Sequence, residues 1–266
     1  MVRLTMAKVR SVVAGAAAFS MYMLVIRPWQ LRWGATDEEV ARAVPGDEVV
    51  ARPTFNATRA VTVEARPEAI WPWLVQIGCQ RAGWYSYDLV DNLGSPSAER
   101  IIPELQHLEV GDLVPMSPDG KQGLWVKALE PNRWMLWGDD KGDTSWFWGL
   151  FPMDRGRTRL ITRVRMRYNW LSPWILFNLL LDVGDVVMMR KCMLGIKRRA
   201  EAITERWSTW LRTRWPSAQV GCGTAAPTPG RSPDCGLVAF EMVAAPEPGG
   251  RWANPFQIPV RSRKRA

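Results

Sequence analysis

Between residues 108 and 170 the chain falls into short runs rich in β-branched and aromatic residues: "VGDLVPMS", "LWVKALE", "RWMLWGD", "TSWFWGLFPM" and "GRTRLITRVRMRYNW". Turn signals bound them, among them Pro118-Asp119-Gly120, Pro131-Asn132 and Asp154-Arg155-Gly156. This spacing predicts a meander of antiparallel strands. In the last run Leu160, Val164, Met166 and Tyr168 share one face, and Arg159, Arg163, Arg165 and Arg167 share the other. One face of the sheet should therefore be covered and the other wet. Ahead of the meander, "ATRAVTVEA" alternates like a further strand, with Val61 and Val63 on one side. "RPEAIWPWLVQIG" follows as a helix, with Pro67 and Glu68 suited to its first turn and Gly78 to its stop. Pro72 lies inside it, so a kink or a split is expected there.

After Pro173 the apolar period changes. Val186, Met189, Met193, Ile196, Ala200, Ile203, Trp207 and Trp210 recur at alternating steps of three and four, the stripe of one long helix, with Arg198, Arg199, Glu201 and Glu205 on its other side. Residues 34–56 are polar with small apolar islands and read as a lead-in draped over the domain. The predicted order is strand, helix, strands, long amphipathic helix. It divides the chain into an apolar N-terminal helix over 1–33, a folded domain over 34–212, and a Pro/Gly-rich basic tail over 213–266 that reads as disordered. From Val12 to Ile26 no charge occurs, with Lys8 and Arg10 before and Arg27 after. That run is shorter than the roughly 20 apolar residues of a full span. Trp29 and Trp33 beyond it suit an interface, so membrane contact through residues 11–33 is expected, and cytoplasmic is the alternative location.

Composition sharpens the picture at three points. Sixteen tryptophans in 266 residues are far more than a core needs, and twelve of them lie between residues 36 and 210. The net charge of +9 belongs to the ends: residues 36–210 hold 22 basic and 23 acidic side chains. A neutral body gives no footprint for nucleic acid, and no nucleic-acid partner is expected. The four cysteines form no C-x-x-C pair, and Cys79 and Cys192 sit in apolar runs as small hydrophobes. The single histidine, His107, lies in a polar connector, so His-based metal or triad chemistry has no material, and no cofactor is expected.

A curved antiparallel sheet crossed by a straight helix leaves a hollow unless large side chains plug it. The element order, together with "LRWGATDEEV", "PGD", "WPWLVQIG", "GWYSYDLVDNLG", "MSPDGKQG" and "GDTSWFWGL", resembles the START-like superfamily. This is the helix-grip fold of polyketide cyclases, lipid-transfer domains and the birch pollen allergen. The motifs resemble its actinobacterial, cyclase/dehydrase-like branch over residues 30–210. The resemblance implies an α+β fold, a curved antiparallel sheet with the C-terminal helix packed across its concave face, and a cavity between them. It also implies that the segment Gly83–Gly94 borders the cavity mouth. On that frame Trp84, Tyr85, Tyr87, Met116, Trp125, Trp146, Trp148, Met189 and Met193 are the candidate ligand wall. Trp84, Tyr85 and Tyr87 also suit the anchoring of a loop, and the strand tryptophans are large enough to fill the hollow themselves, which is the favoured reading for them.

Three functions compete. The first, which leads, is binding or transfer of a hydrophobic small molecule such as a lipid, isoprenoid or polyketide. The second is a cyclase- or dehydratase-type enzyme using Tyr85 or Tyr87 with Asp88 or Asp182 as acid and base. The sequence offers it no nucleophile–base pair, phosphate loop or metal set, so the reading leans against an enzyme. The third is a membrane-tethered structural or interaction protein whose cavity is filled by its own tryptophans.

Overall fold

The computed structural model describes residues 6–168 and 175–214, except for some side chains near the helix ends, those of Asp182 and Trp207 among them. The expected tail, with Cys222 and Cys235, lies outside the described residues apart from its first two positions. The strands are β1 (Phe55–Val63), β2 (Leu113–Pro115), β3 (Gly123–Glu130), β4 (Trp134–Gly138), β5 (Thr144–Pro152) and β6 (Thr158–Met166). They form one six-stranded antiparallel sheet in the order β1-β6-β5-β4-β3-β2, curved and unclosed. Each predicted run supplies one strand. The hairpin after β2 turns at Ser117–Gly120, where the Gly120 N–H reaches the Ser117 carbonyl at 3.1 Å and Gly120 takes a positive φ of 68°.

The helices are α1 (Met6–Met21), α2 (Arg27–Leu31), α3 (Asp37–Ala41), α4 (Pro67–Val75), α5 (Asp88–Asp91) and α6 (Ile175–Arg214). Pro67 opens α4 as predicted, and the helix runs unbroken through Pro72 rather than splitting. Pro72 removes one intrahelical bond and crowds the carbonyl four residues back, at about 3 kcal/mol, and burial of Ile70, Trp73, Leu74 and Val75 offsets that cost. The α6 stripe is buried at Val186, and Met189, Met193, Ile196 and Ala200 join one cluster with Phe55, Val63, Trp84, Trp148 and Leu160. The long helix thus covers the concave face of an α+β helix-grip arrangement. Farther along, Ile203 is half-buried and Trp210 is exposed, so the stripe outlasts the sheet beneath it.

The arginine face of β6 is not wet. Across the convex side Leu136, Phe147, Arg163 and Thr58 stand in register on β4, β5, β6 and β1. Val44 joins Leu136 and Phe147 in a second, smaller core there. The lead-in brings two acidic side chains to the same face. Arg159 pairs with Glu39 at 2.7 Å, and Asp47 pairs with Arg163 at 2.7 Å and Arg165 at 2.8 Å. Alternation correctly assigned the arginines to one face, but it carries no information about what packs there.

At the N-terminus α1, a π-helical stretch (Tyr22–Ile26) and α2 follow one another directly. Among the described residues no helix is long and apolar enough to cross a membrane. The base of this segment docks on the edge strand β1. The Ala60 N–H donates to the Trp33 carbonyl, Arg59 Nε donates to the Gln30 carbonyl at 3.0 Å, and Leu31 and Trp33 pack on the main core. An open sheet edge is thereby covered.

Candidate functional site

Strand register places the concave-face side chains in rows. One row runs Val126, Trp137, Trp146, Val164 and Ala57 from β3 to β1, and the next runs Met135, Trp148, Thr162 and Arg59 from β4 to β1. Large indoles therefore occupy the middle of the sheet, and small side chains and one arginine occupy the β6–β1 side. Trp84 comes from outside the sheet and completes the cluster. Its ring stacks on Trp146 with centroids 5.7 Å apart and planes 5° apart, and Trp146 stacks on Trp148 at 5.5 Å. Trp137 meets Trp146 edge-on at 5.2 Å and Trp84 at 6.4 Å. Stacked and edge-to-face indoles at these separations attract beyond their area burial, by about 0.5–1.5 kcal/mol per pair.

The loop that delivers Trp84 is closed by its own backbone. Gly78 and Gly83 exchange N–H···O bonds at 3.2 and 3.1 Å, and a Cβ on Gly83 would lie 2.4 Å from the Ser97 hydroxyl. Ser97 in turn accepts from the Tyr85 N–H at 3.0 Å and donates to Asp88, while Ser86 donates to the Met188 carbonyl of α6 at 3.0 Å. These bonds hold the segment against the long helix and aim Trp84 inward.

Two kinds of polar group sit in this interior. The first is satisfied: Trp146 Nε1 donates to Thr162 Oγ1 at 2.8 Å, which donates on to the Phe147 carbonyl. The second is not. The indole N–H groups of Trp73, Trp137 and Trp148 are buried and meet no acceptor among the described residues. Arg59, fully buried, pairs with Asp185 through Nη1 at 2.6 Å, and its Nη2 also lacks a hydrogen-bond acceptor among the described residues. Unpaired buried donors are rare in folded proteins because each costs about 1–3 kcal/mol.

The predicted wall residues part company here. Trp84, Tyr85, Trp146, Trp148, Met189 and Met193 belong to the one main core cluster. Tyr87, Met116 and Trp125 are exposed. Trp125 alternates with the buried Leu124 and Val126 and so stands on the opposite side of β3 from the indole cluster. Tyr87 immediately precedes α5, without a side-chain capping bond, and its ring lies under the Lys191 ammonium at 3.7 Å.

Of the acid–base candidates, Tyr85 is committed to structure. Its hydroxyl donates to the Trp73 carbonyl at 3.2 Å and accepts from Gln76 Nε2 at 2.9 Å, and the Arg199 guanidinium covers its ring at 4.5 Å. Burial pushes its pKa well above the usual phenol range, so it holds its proton. Asp88 accepts the Ser97 hydroxyl. Burial raises the pKa of neighbouring Asp91, whose carboxylate accepts from the Tyr87 N–H at 3.2 Å. The Asp182 side chain lies outside the described residues. Buried Cys79 and Cys192 are free thiols, and burial pushes Cys192 far above the thiol range.

Arg59 and Arg199 were not among the predicted site residues. Arg59 shares strand parity with Val61 and Val63, so a charge on an apolar face was visible as an anomaly. Arg199 lies off the apolar stripe of α6, and its burial depends on the Ala98 carbonyl and the Glu99 carboxylate that it grips.

No protein-family model and no curated protein matches the chain. Among solved structures it is similar to a conserved protein of unknown function from Enterococcus faecalis (12% identity, TM-score 0.32), with 62% of this chain and 95% of that one covered. A protein from Mesorhizobium loti has 18% identity and a TM-score of 0.33, over 55% of this chain and 97% of its own. A polyketide-cyclase-like protein from Corynebacterium glutamicum has 15% identity and a TM-score of 0.29, over 59% and 94%.

Proposed function

We propose that this chain is a helix-grip binding module for a hydrophobic small molecule that carries an acceptor oxygen. The molecule would lie against the Trp84–Trp146–Trp148 stack beneath α6. The observation that carries this reading is the set of buried indole donors on Trp73, Trp137 and Trp148 with no acceptor among the described residues. A carbonyl, hydroxyl or carboxylate oxygen set against one of them would satisfy it, and the flat rings would match a planar or isoprenoid body. On the sheet face that carries Trp137 and Trp148, Arg59 Nη2 is a third such donor. Ligand entry would require Trp84 to swing aside, because it covers Trp146.

A second reading has its own support. The near-parallel contact of Trp84 on Trp146, and the complete burial of Trp137 and Trp148, fit indoles that fill the hollow themselves. Native mass spectrometry of the full chain, purified without detergent, separates the two. Binding predicts a small-molecule adduct released by organic solvent. It also predicts quenching or a shift of Trp fluorescence when the stripped protein is titrated with fatty acids, isoprenoids or polycyclic probes. A bare mass and no response to any probe would leave the filled interior as the function-neutral answer.

A further inference from the structure

The N-terminal helix stands out for what it leaves in water. Phe19, Met21, Leu24, Val25, Ile26 and Trp29 are all exposed, Leu24 at 77%, and they fall around the helix rather than on one stripe. A helix apolar all round has a buried destination. We propose that this arm enters the headgroup and outer acyl region of an anionic lipid bilayer and holds the folded domain at the membrane surface.

Three observations commit the arm to lipid. The first is charge. The apolar run from Val12 to Ile26 is bracketed by Lys8, Arg10 and Arg27, and no acidic residue occurs before Asp37. Lys8 and Arg10 ahead of the run fit anionic headgroups, each contributing about 1 kcal/mol near such a surface, whereas Arg27 at the base of the arm donates to the Thr54 carbonyl and the Tyr168 hydroxyl. The second is length. Fifteen helical residues rise about 22 Å, short of a roughly 30 Å hydrocarbon core. The arm therefore suits partial insertion rather than a crossing, in keeping with the absence of a spanning helix among the described residues.

The third is the placement of a second apolar patch. At the base of the arm, Arg59 pairs with Asp185 of α6 and Arg190 lies over the Trp33 ring at 5.4 Å. On the same stretch of α6, Lys191 covers Tyr87 and the Met188 carbonyl holds Ser86, which fixes α5 beside it. α5 and the turn after it expose Leu89, Val90 and Leu93 at 82, 69 and 63%. Both apolar patches thus flank residues 185–191 of the long helix, with the exposed cations Arg190 and Lys191 between them. The carboxylates of Asp88 and Asp91 lie beside the α5 patch, each accepting one hydrogen bond, from Ser97 and from the Tyr87 N–H.

The test is flotation of the full chain with phosphatidylcholine vesicles, with and without phosphatidylglycerol. The expected result is binding that needs the anionic lipid and weakens in high salt. Leu24→Glu with Val25→Glu should lower the bound fraction by about tenfold or more, and Leu89→Glu with Val90→Glu should lower it to a smaller degree. All four side chains are exposed, so the melting temperature should stay within a few degrees, which separates lost binding from lost folding. Failure of the full chain to float with anionic vesicles overturns the proposal. So does an arm variant that floats as well as the parent. A dimer in light scattering that the arm variant dissociates, without any vesicle binding, would assign the arm to a second copy instead. None of these results depends on whether the interior holds a ligand.

Discussion

Gly195 of α6 lies against the backbone of Tyr85: a Cβ built on Gly195 would come within 2.4 Å of the Tyr85 carbonyl oxygen and 2.8 Å of its Cβ. The long helix and the aromatic loop approach this closely because position 195 has no side chain. In an ordinary helix interior, Gly→Ala stabilises by about 0.5–1 kcal/mol. Here the sign reverses. Gly195→Ala should destabilise by about 1–3 kcal/mol, because backbone rather than a flexible side chain must move. Gly184 in the same helix has nothing within 4 Å of its ideal Cβ. Gly184→Ala should therefore raise the melting temperature while Gly195→Ala lowers it. Equal shifts of the same sign would mean that the Tyr85 backbone does not press on Gly195.

Arg163 uses its guanidinium fully. Nε donates to Thr58 Oγ1, Nη1 to the Arg42 carbonyl and Asp47, and Nη2 to the Glu39 and Val40 carbonyls, all at 2.7–2.9 Å. A planar five-donor fork matches this arrangement, and an ammonium cannot. Arg163→Met should cost about 3–5 kcal/mol, since it leaves Asp47 and three carbonyls short of a donor. Arg163→Lys should recover only part. Hydrogen exchange gives a second readout: amides of residues 36–50 should lose protection first, because these bonds fasten the lead-in to the sheet.

The Tyr85 hydroxyl is a structural bond rather than a poised acid. Because burial raises its pKa above the ordinary 10.0, the protonated phenol is favoured by folding. That contribution is complete below about pH 10 and is lost as pH rises past the unfolded value. Of the chain's four tyrosines, three at most should titrate spectrophotometrically before alkaline unfolding begins. Tyr85→Phe should cost about 1–2 kcal/mol and leave Gln76 with one partner fewer. A fourth tyrosine that titrates while the far-ultraviolet spectrum stays native would refute this placement.

What the sequence made legible follows from which forces are local. Strand alternation, turn residues and the stripe of α6 are short-range patterns, and they yield the six strands and the covering helix. The partners of the resulting faces are long-range and stay hidden. Nothing near Arg163 announces Asp47, and nothing near Gly195 announces Tyr85. Some local signals reach further. Thr36-Asp37-Glu38-Glu39 is a capping-box sequence, and α3 starts there with both reciprocal bonds made. Arg59 breaks the apolar parity of β1 and proves to be the buried cation of the concave face. The wall residues were separable only in part: tryptophan counts cannot distinguish Trp125 on one side of a strand from Trp137 and Trp146 on the other side of the sheet.

Glu39 links acid stability to the same lead-in. Burial alone would raise its pKa, but hydrogen bonds from Arg159 and the Thr36 N–H, with the charges of Arg159 and Arg42, hold it below its ordinary value of 4.5. The carboxylate is therefore favoured by folding. Its contribution is complete above the unfolded value and disappears as pH falls through the lower folded one. The melting temperature should be flat from neutral pH down to about pH 5 and then fall. Glu39→Gln keeps an oxygen for the Thr36 N–H but no charge for Arg159. That variant should be less stable at pH 7 and show a shallower acid limb, so the two curves draw together as pH falls. Parallel curves, with the same gap at pH 7 and pH 3, would mean that Glu39 acts through its shape and capping bond, and that its ion pair with Arg159 adds nothing to the hold on the sheet.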